Sequence, residues 1–168
     1  MRELSLSELC IRPFHLLDQE WAILVGGNAE HSNPMTISWG GLGTLWNRSV
    51  VTVYVRPNRY TYELLESNPE FTLNFLNSNE REALDVCGTV SGRGTDKWVL
   101  AGLVAEKSCR IAVPRVATAK LLFECRILAH LDFDPARFVE PALNELYPLS
   151  DYHRAYFGEV LLAAEQSQ

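Results

Sequence analysis

Several large functional classes leave no mark on this sequence. Its four cysteines, Cys10, Cys87, Cys109 and Cys125, include no pair at CxxC or other metal-ligand spacing. The four histidines, His15, His31, His130 and His153, form no HExxH pattern. There is no GxSxG elbow for a nucleophilic serine. Gly40-Gly41-Leu42-Gly43 is no dinucleotide fingerprint, because no helix or βαβ unit follows it. Basic residues are the minority, 15 Lys and Arg against 21 Asp and Glu, for a formal net charge of −6. That argues against a nucleic-acid partner, which needs a basic face, although a local cluster can still hold an anion. No apolar run approaches a membrane span, and the opening MRELSLSELC has no apolar signal core. The expectation is a cytoplasmic chain with reduced thiols and no membrane partner. Internal repeats and low-complexity tracts are absent too.

What remains is ordinary globular material: 168 residues, 47% hydrophobic and 21% charged, enough for one domain over residues 1–168 with a sizeable core. Period-2 alternation marks most of the elements. Trp21–Val25 reads as a strand closed by Gly26-Gly27-Asn28. Met35–Trp39 follows, with Thr36 and Ser38 on one face. Gly40, Gly41 and Gly43 predict a sharp bend or a close approach of the backbone. Val50–Arg56 is a clear strand. Pro57 ends it, and Asn58 is the expected N-cap of a helix through Glu66. Phe71–Leu76 is a strand, and Asn79 with Glu82 resembles a capping box for the next helix, which Gly88 ends. A short helix opens near Lys97 and closes near Gly102, and Val104–Val113 holds short strands. Ala119–Asp132 alternates over its whole length and predicts a long, curved, half-exposed strand with Glu124 on its polar face. Pro135–Tyr147 reads as a loop with a short helix, and Tyr156–Ala164 as the last strand. Many strands, short turns and no βαβ rhythm favour a small antiparallel barrel with helices at its edges.

Three places hold candidate site residues. The turn Arg56–Thr61 leads into a helix N-terminus, whose unpaired amides and partial positive charge suit an anion. Arg56, Arg59, Tyr60 and Thr61 could add charge-assisted bonds to a phosphate there. The plain alternative is a solvated turn whose arginines pair with Glu63 or Glu66. Asn33, Met35, Thr36, Ser38 and Trp39 combine an indole, hydroxyls and a carboxamide, a set that suits a flat heteroaromatic ring; the alternative is an ordinary strand with a buried tryptophan. Lys97 could serve a ligand carbonyl or an anionic ring, or simply pair with Asp96 at the surface. His153, just before the last strand, could also reach a ligand.

Taken together, NPMTISWGGLGTLW, VYVRPNRYTYELLE, FTLNFL, CGTVSGRGTDKW, FECR and DYHRAYFGEV, in this order, resemble the flavin reductase-like family of FMN-binding split barrels. RPNRYT, with N-x-M-T-x-S-W before it, is the strongest part of the match, which runs from about Trp21 to about Val160. The resemblance implies a mainly β fold, a six-stranded antiparallel split β-barrel with short peripheral helices. It implies a homodimer with FMN near the subunit interface, FAD being the less expected flavin. Asn33, Met35, Thr36, Ser38 and Trp39 would line the ring and ribityl chain. Arg56, Arg59, Tyr60 and Thr61 would hold the phosphate, and Lys97 would approach the ring. His153 matches a histidine before the last strand, which the resemblance implies is contributed by the partner subunit. Gly94 stands where many relatives have Asp, and the short segment after the last strand implies a more open site. The implied activity is an NAD(P)H-dependent flavin reductase, with NAD(P)H a transient donor. The alternatives are a flavoredoxin-like electron carrier served by a redox protein partner, and a non-catalytic flavin- or pyridoxal-phosphate-binding module.

Overall fold

The computed structural model describes residues 1–166, so Ser167 and Gln168 lie outside the described residues. Its strands are β1 (Arg2–Leu4), β2 (Ala22–Gly27), β3 (Ser32–Ile37), β4 (Gly40–Leu45), β5 (Arg48–Val55), β6 (Glu70–Phe75), β7 (Ala105–Glu106), β8 (Arg115–Val116), β9 (Leu121–Asp132) and β10 (Arg154–Glu165). The helices are α1 (Pro13–His15, continued as a π turn to Glu20), α2 (Tyr60–Ser67), α3 (Arg81–Thr89) and α4 (Lys97–Leu100). Eight strands form one antiparallel sheet in the order β3-β2-β6-β9-β10-β5-β4, with β1 also on β10; β7 and β8 make a separate ribbon. A mainly β, antiparallel fold with short peripheral helices is what the sequence predicts, and the sheet is compatible with a split barrel. Its two ends, β3 and β4, are not paired with each other among the described residues; only Ser38 and Trp39 join them.

Two cores explain why some strands read as alternating and others as unbroken apolar runs. The inner core holds Leu24, Met35, Val53, Phe71, Phe75, Phe123 and Tyr156. The outer one holds Ile23, Val25, Leu84, Cys87, Val113, Leu122 and Leu162, covered by α3 and the segment after α4. β2 and the first half of β9 lie between them, so both faces are apolar. This corrects the expectation of a half-exposed β9: Leu121–Cys125 is buried throughout and exposure begins at Arg126. Glu124, expected on a polar face, is fully buried. Its carboxylate accepts from the backbone amides of Cys109 (2.9 and 3.1 Å) and Arg110 (2.7 Å), which pins the loop before β8.

Other local expectations shift. The glycine run is not a bend but strand β4, which forms a hairpin with β5. Only Gly40 is a close approach, since a Cβ there would lie 2.8 Å from the Thr52 carbonyl oxygen. The hairpin turns at Trp46 and Asn47, both with positive φ (52° and 57°), the geometry that matches strand twist. The capping box sits at Asn77 and Glu80, two residues before the expected place. Asn58 does not cap α2: Arg59 occupies the cap position and its side chain makes no capping bond. Among the described residues no helix is long and apolar enough to cross a membrane.

Candidate functional site

The opening between β3 and β4 sits where β3 and β5 end, and there two hollows meet. The first, about 200 Å³, is lined by Met35, Thr36, Ser38 and Trp39 from the end of β3, by Tyr54 and Arg56 from β5, and by Arg59 and His153. The second, about 370 Å³, is lined by Asn33 and Met35, by Asn58, Arg59, Tyr60 and Thr61 at the start of α2, and by the 90–93 loop and Lys97. Met35 and Arg59 belong to both. All eleven residues singled out in the sequence therefore line one adjoining pair of hollows, although they span Asn33 to His153.

The N-terminus of α2 gives the second hollow its polarity. Tyr60 and Thr61 open the helix, where amides have no partner within it. Thr61 is fully buried, and its hydroxyl accepts from Asn33 Nδ2 at 2.8 Å, which fixes the carboxamide. Tyr60 is held by a hydrogen bond to the His31 imidazole. Arg59 is exposed and makes no ion pair among the described residues; Glu63 pairs with Arg93 (2.5 Å) and Glu66 with Arg154 (2.8 Å). The alternative that the turn's arginines satisfy those two glutamates is thus overturned.

Arg56 behaves differently from Arg59. Its Nη1 donates to both Asp151 carboxylate oxygens (2.9 and 3.0 Å), its Nη2 donates to the Leu146 carbonyl (2.9 Å), and its guanidinium stacks on Tyr147 at 4.9 Å. Asn58 adds a donor to Asp151 at 2.8 Å. The turn therefore straps down the 144–153 loop. That loop delivers His153, buried, with Nδ1 2.8 Å from the Tyr147 hydroxyl and its ring 5.3 Å from that of Trp39. Burial, then the nearby positive charge of Arg56, pushes the His153 pKa down to about 4. Burial also raises that of Tyr147, which keeps its proton. His153 is then a neutral ring at neutral pH with its Nδ1 hydrogen-bonded to the Tyr147 hydroxyl.

Lys97 is no surface residue paired to Asp96. It is 3% exposed, and Nζ donates to the carbonyls of Cys87 (2.7 Å) and Val90 (3.2 Å). Burial lowers its pKa to about 8; the neighbouring Cys87 opposes this and Arg59 adds to it. Asp96 instead caps α4, accepting from the amides of Trp98 and Val99. Thr36 donates to the Leu84 carbonyl at 2.5 Å. Trp39 is 46% exposed at the lip, not buried as the plain strand reading required.

Sequence reasoning missed two neighbours. Gly92 touches Asn33 so closely that a Cβ would lie 1.9 Å from its Oδ1, so only glycine lets the loop close over the second hollow. Arg93 bonds the Asn58 carbonyl (3.0 Å) and lies over the Tyr60 ring at 5.8 Å. The glycine-rich SGRG stretch was a signal for the first; nothing local marked the second. Among the described residues no cluster of three or more His, Cys, Asp or Glu could hold a metal ion, and all four thiols are free.

Comparison with known proteins follows the same line. Residues 16–163 match the family described as flavin reductase like domain. No curated protein matches the chain. Solved structures similar to it include a flavoredoxin from Methanosarcina acetivorans, 24% identical over 89% of this chain and 69% of that one, with a TM-score of 0.71. An FMN-binding protein from Thermus thermophilus is 20% identical over 99% and 83%, TM-score 0.71. An NADH:FAD oxidoreductase from Streptomyces globisporus is 18% identical over 88% and 75%, TM-score 0.67. At these identities the likenesses establish the fold.

Proposed function

Taking as premise that the chain belongs to the flavin reductase-like family, we propose that it binds FMN in the two joined hollows and works as an NAD(P)H-dependent flavin oxidoreductase. The observation that carries the reading is Arg59, a guanidinium with no ion pair among the described residues, at a helix N-terminus on the boundary between the two hollows.

The residues fit that cofactor. The start of α2, with Arg59, Tyr60 and Thr61, is an anion cradle of the right polarity for a phosphate. Asn33, Thr36 and Ser38 offer polar edges, and Met35 and Trp39 offer apolar faces, as a flat heteroaromatic ring requires. When bound, FMN would supply the redox chemistry, the hydride (two electrons and one proton) coming from a reduced nicotinamide that would leave as NAD(P)⁺. The chain supplies position and field. Lys97 places a desolvated ammonium beside the hollow, which favours an anionic ring. His153 presents a neutral imidazole, held by Tyr147. Arg56 is assigned to holding the loop of His153, and the phosphate falls to Arg59.

The same reading includes a second copy of the chain. Beside the first hollow the 139–149 segment exposes Val139 (99%) and Leu149 (79%), and Trp39 stands at the lip. Apolar surface of this kind suits a subunit interface, and sedimentation equilibrium should give twice the chain mass. The activity is tested by mixing FMN-loaded protein anaerobically with NADH or NADPH in a stopped-flow spectrometer. Loss of flavin absorbance with either nicotinamide supports the proposal. Flavin retained through purification but untouched by both would make the protein an electron carrier instead.

A further inference from the structure

His153 enters the first hollow with one ring nitrogen already committed. Its Nδ1 lies 2.8 Å from the Tyr147 hydroxyl, and both side chains are buried. Nε2 has no hydrogen-bond partner among the described residues, yet no buried side-chain nitrogen or oxygen there is left without one. Nε2 therefore reaches accessible space, and the space that His153 lines is the first hollow.

Both rings are held in place by their neighbours. The Arg56 guanidinium lies over Tyr147 at 4.9 Å, and Tyr152 packs on it with centroids 4.7 Å apart. Tyr152 is tied in turn by its hydroxyl to Asn144 Oδ1 at 3.1 Å. The His153 ring sits among Trp39 (5.3 Å), Phe133 (6.4 Å) and Tyr147 (5.5 Å). Rings fixed this way leave the hydroxyl hydrogen little choice. The Tyr147 hydroxyl has no other hydrogen-bond partner among the described residues. With Nδ1 as donor, the phenol hydrogen would find no acceptor within them, which is costly at a buried site. With the hydroxyl as donor, both groups are satisfied and the imidazole proton lies on Nε2. Imidazolium would add a further positive charge near Arg56 and Arg59, both of which, with burial, favour the neutral ring.

We propose that Tyr147 is a positioning residue: its hydroxyl locks His153 as the Nε2-protonated imidazole, a neutral donor offered to a carbonyl oxygen of the ligand in the first hollow. The inference rests on the flavin reading of that hollow. Two groups in that reading carry such an oxygen, the flavin ring and the nicotinamide carboxamide. Tyr147 itself touches neither; it acts through the ring of His153.

The test uses the full chain with Tyr147→Phe, His153→Phe, the two combined, and Tyr152→Phe. Ring nitrogen NMR reads the tautomer directly, the His153 signals being those lost in His153→Phe. Wild type and Tyr152→Phe should be protonated at Nε2, and Tyr147→Phe should mix the two forms. Tyr152→Phe removes a hydroxyl from the same loop, so a mere loosening of the loop would move both variants. FMN titration and anaerobic flavin reduction read the function. If the flavin carries the acceptor, Tyr147→Phe raises the FMN dissociation constant about threefold or more. If the nicotinamide carries it, that constant stays within about twofold and the nicotinamide KM rises about threefold or more. In both cases Tyr147→Phe adds less than about twofold in the His153→Phe background, because it acts through that ring. Either pattern supports the proposal. A wild-type ring protonated at Nδ1, neither constant moved by Tyr147→Phe, or effects that multiply in the double variant overturns it. Should no FMN bind, the flavin reading falls and the NMR decides alone. The positioning role then stands if wild type is protonated at Nε2 and Tyr147→Phe mixes the two forms, and falls otherwise.

Discussion

Arg56 and Arg59 lie three residues apart, yet removing each should have opposite consequences. Arg59 is exposed and, among the described residues, unpaired. Its truncation to Ala deletes nothing that the folded chain uses, and exposed substitutions of this kind change stability by no more than about 0.5 kcal/mol. For a chain of this size that is at most about 2 °C in Tm. Its loss should instead appear in binding. A hydrogen bond to a charged group contributes about 1.5–3 kcal/mol, so the FMN dissociation constant should rise roughly 10- to 140-fold. Arg56→Ala strips Asp151, whose side chain is 10% exposed, of its guanidinium partner and leaves it only Asn58. It also frees the Leu146 carbonyl and the face of Tyr147. An uncompensated, largely buried charge is costly, on the order of 3 kcal/mol, so Tm should fall by about 6–12 °C. Fluorescence titration with FMN and thermal melts on the two variants check both halves. An unchanged FMN affinity in Arg59→Ala, or a melt lowered as far as in Arg56→Ala, would refute the division of roles.

Three further predictions rest on single residues. The folded-state pKa of Lys97 is depressed to about 8 from 10.5. The penalty of its buried charge is therefore fully present below pH 8 and relieved as pH rises toward 10.5, whereas FMN binding should weaken above pH 8 as the ammonium is lost; titrations between pH 7 and 9.5 should show this slope in wild type and none in Lys97→Met. His153 is likewise depressed, to about 4 from 6.5, so its contribution to stability is intact above pH 6.5 and is lost as pH falls to 4, a span worth about 2–4 kcal/mol. Urea midpoints at pH 7 and pH 4.5 should differ less in His153→Gln than in wild type, and an equal difference would contradict the assignment. Gly92→Ala forces the loop off Asn33 and should abolish measurable FMN binding while far-ultraviolet circular dichroism stays unchanged; normal binding would show that the loop does not close the hollow.

The fold was legible where one rule governed a whole element. Alternation located β5, whose faces differ in burial, and β6, although Thr72 and Asn74 on its polar face are as buried as Phe71 and Leu73. It failed on β9: Glu124 obeys the period and still lies buried, because a second core forms behind it. No single-strand pattern can reveal what packs on its far side. β4 was hidden because glycines have no side chain to alternate, and the turn at Trp46-Asn47 lacks the usual glycine signal. The candidate site was legible as a set of residue types, and all of them line the joined hollows. Their bonding was not. Arg56 finds Asp151 across 95 residues of chain, and the burial of Lys97 depends on how α3 and α4 meet. Contacts of that range come from topology, which a local motif does not encode.

The central claim is that the two joined hollows hold one FMN. Titrating the purified, flavin-free chain with FMN by calorimetry tests it directly. The account predicts one equivalent per chain, at micromolar affinity or tighter, with the dissociation constant raised roughly 10- to 140-fold in Arg59→Ala. A chain that takes up no FMN, or one that binds wild type and Arg59→Ala equally well, would contradict it.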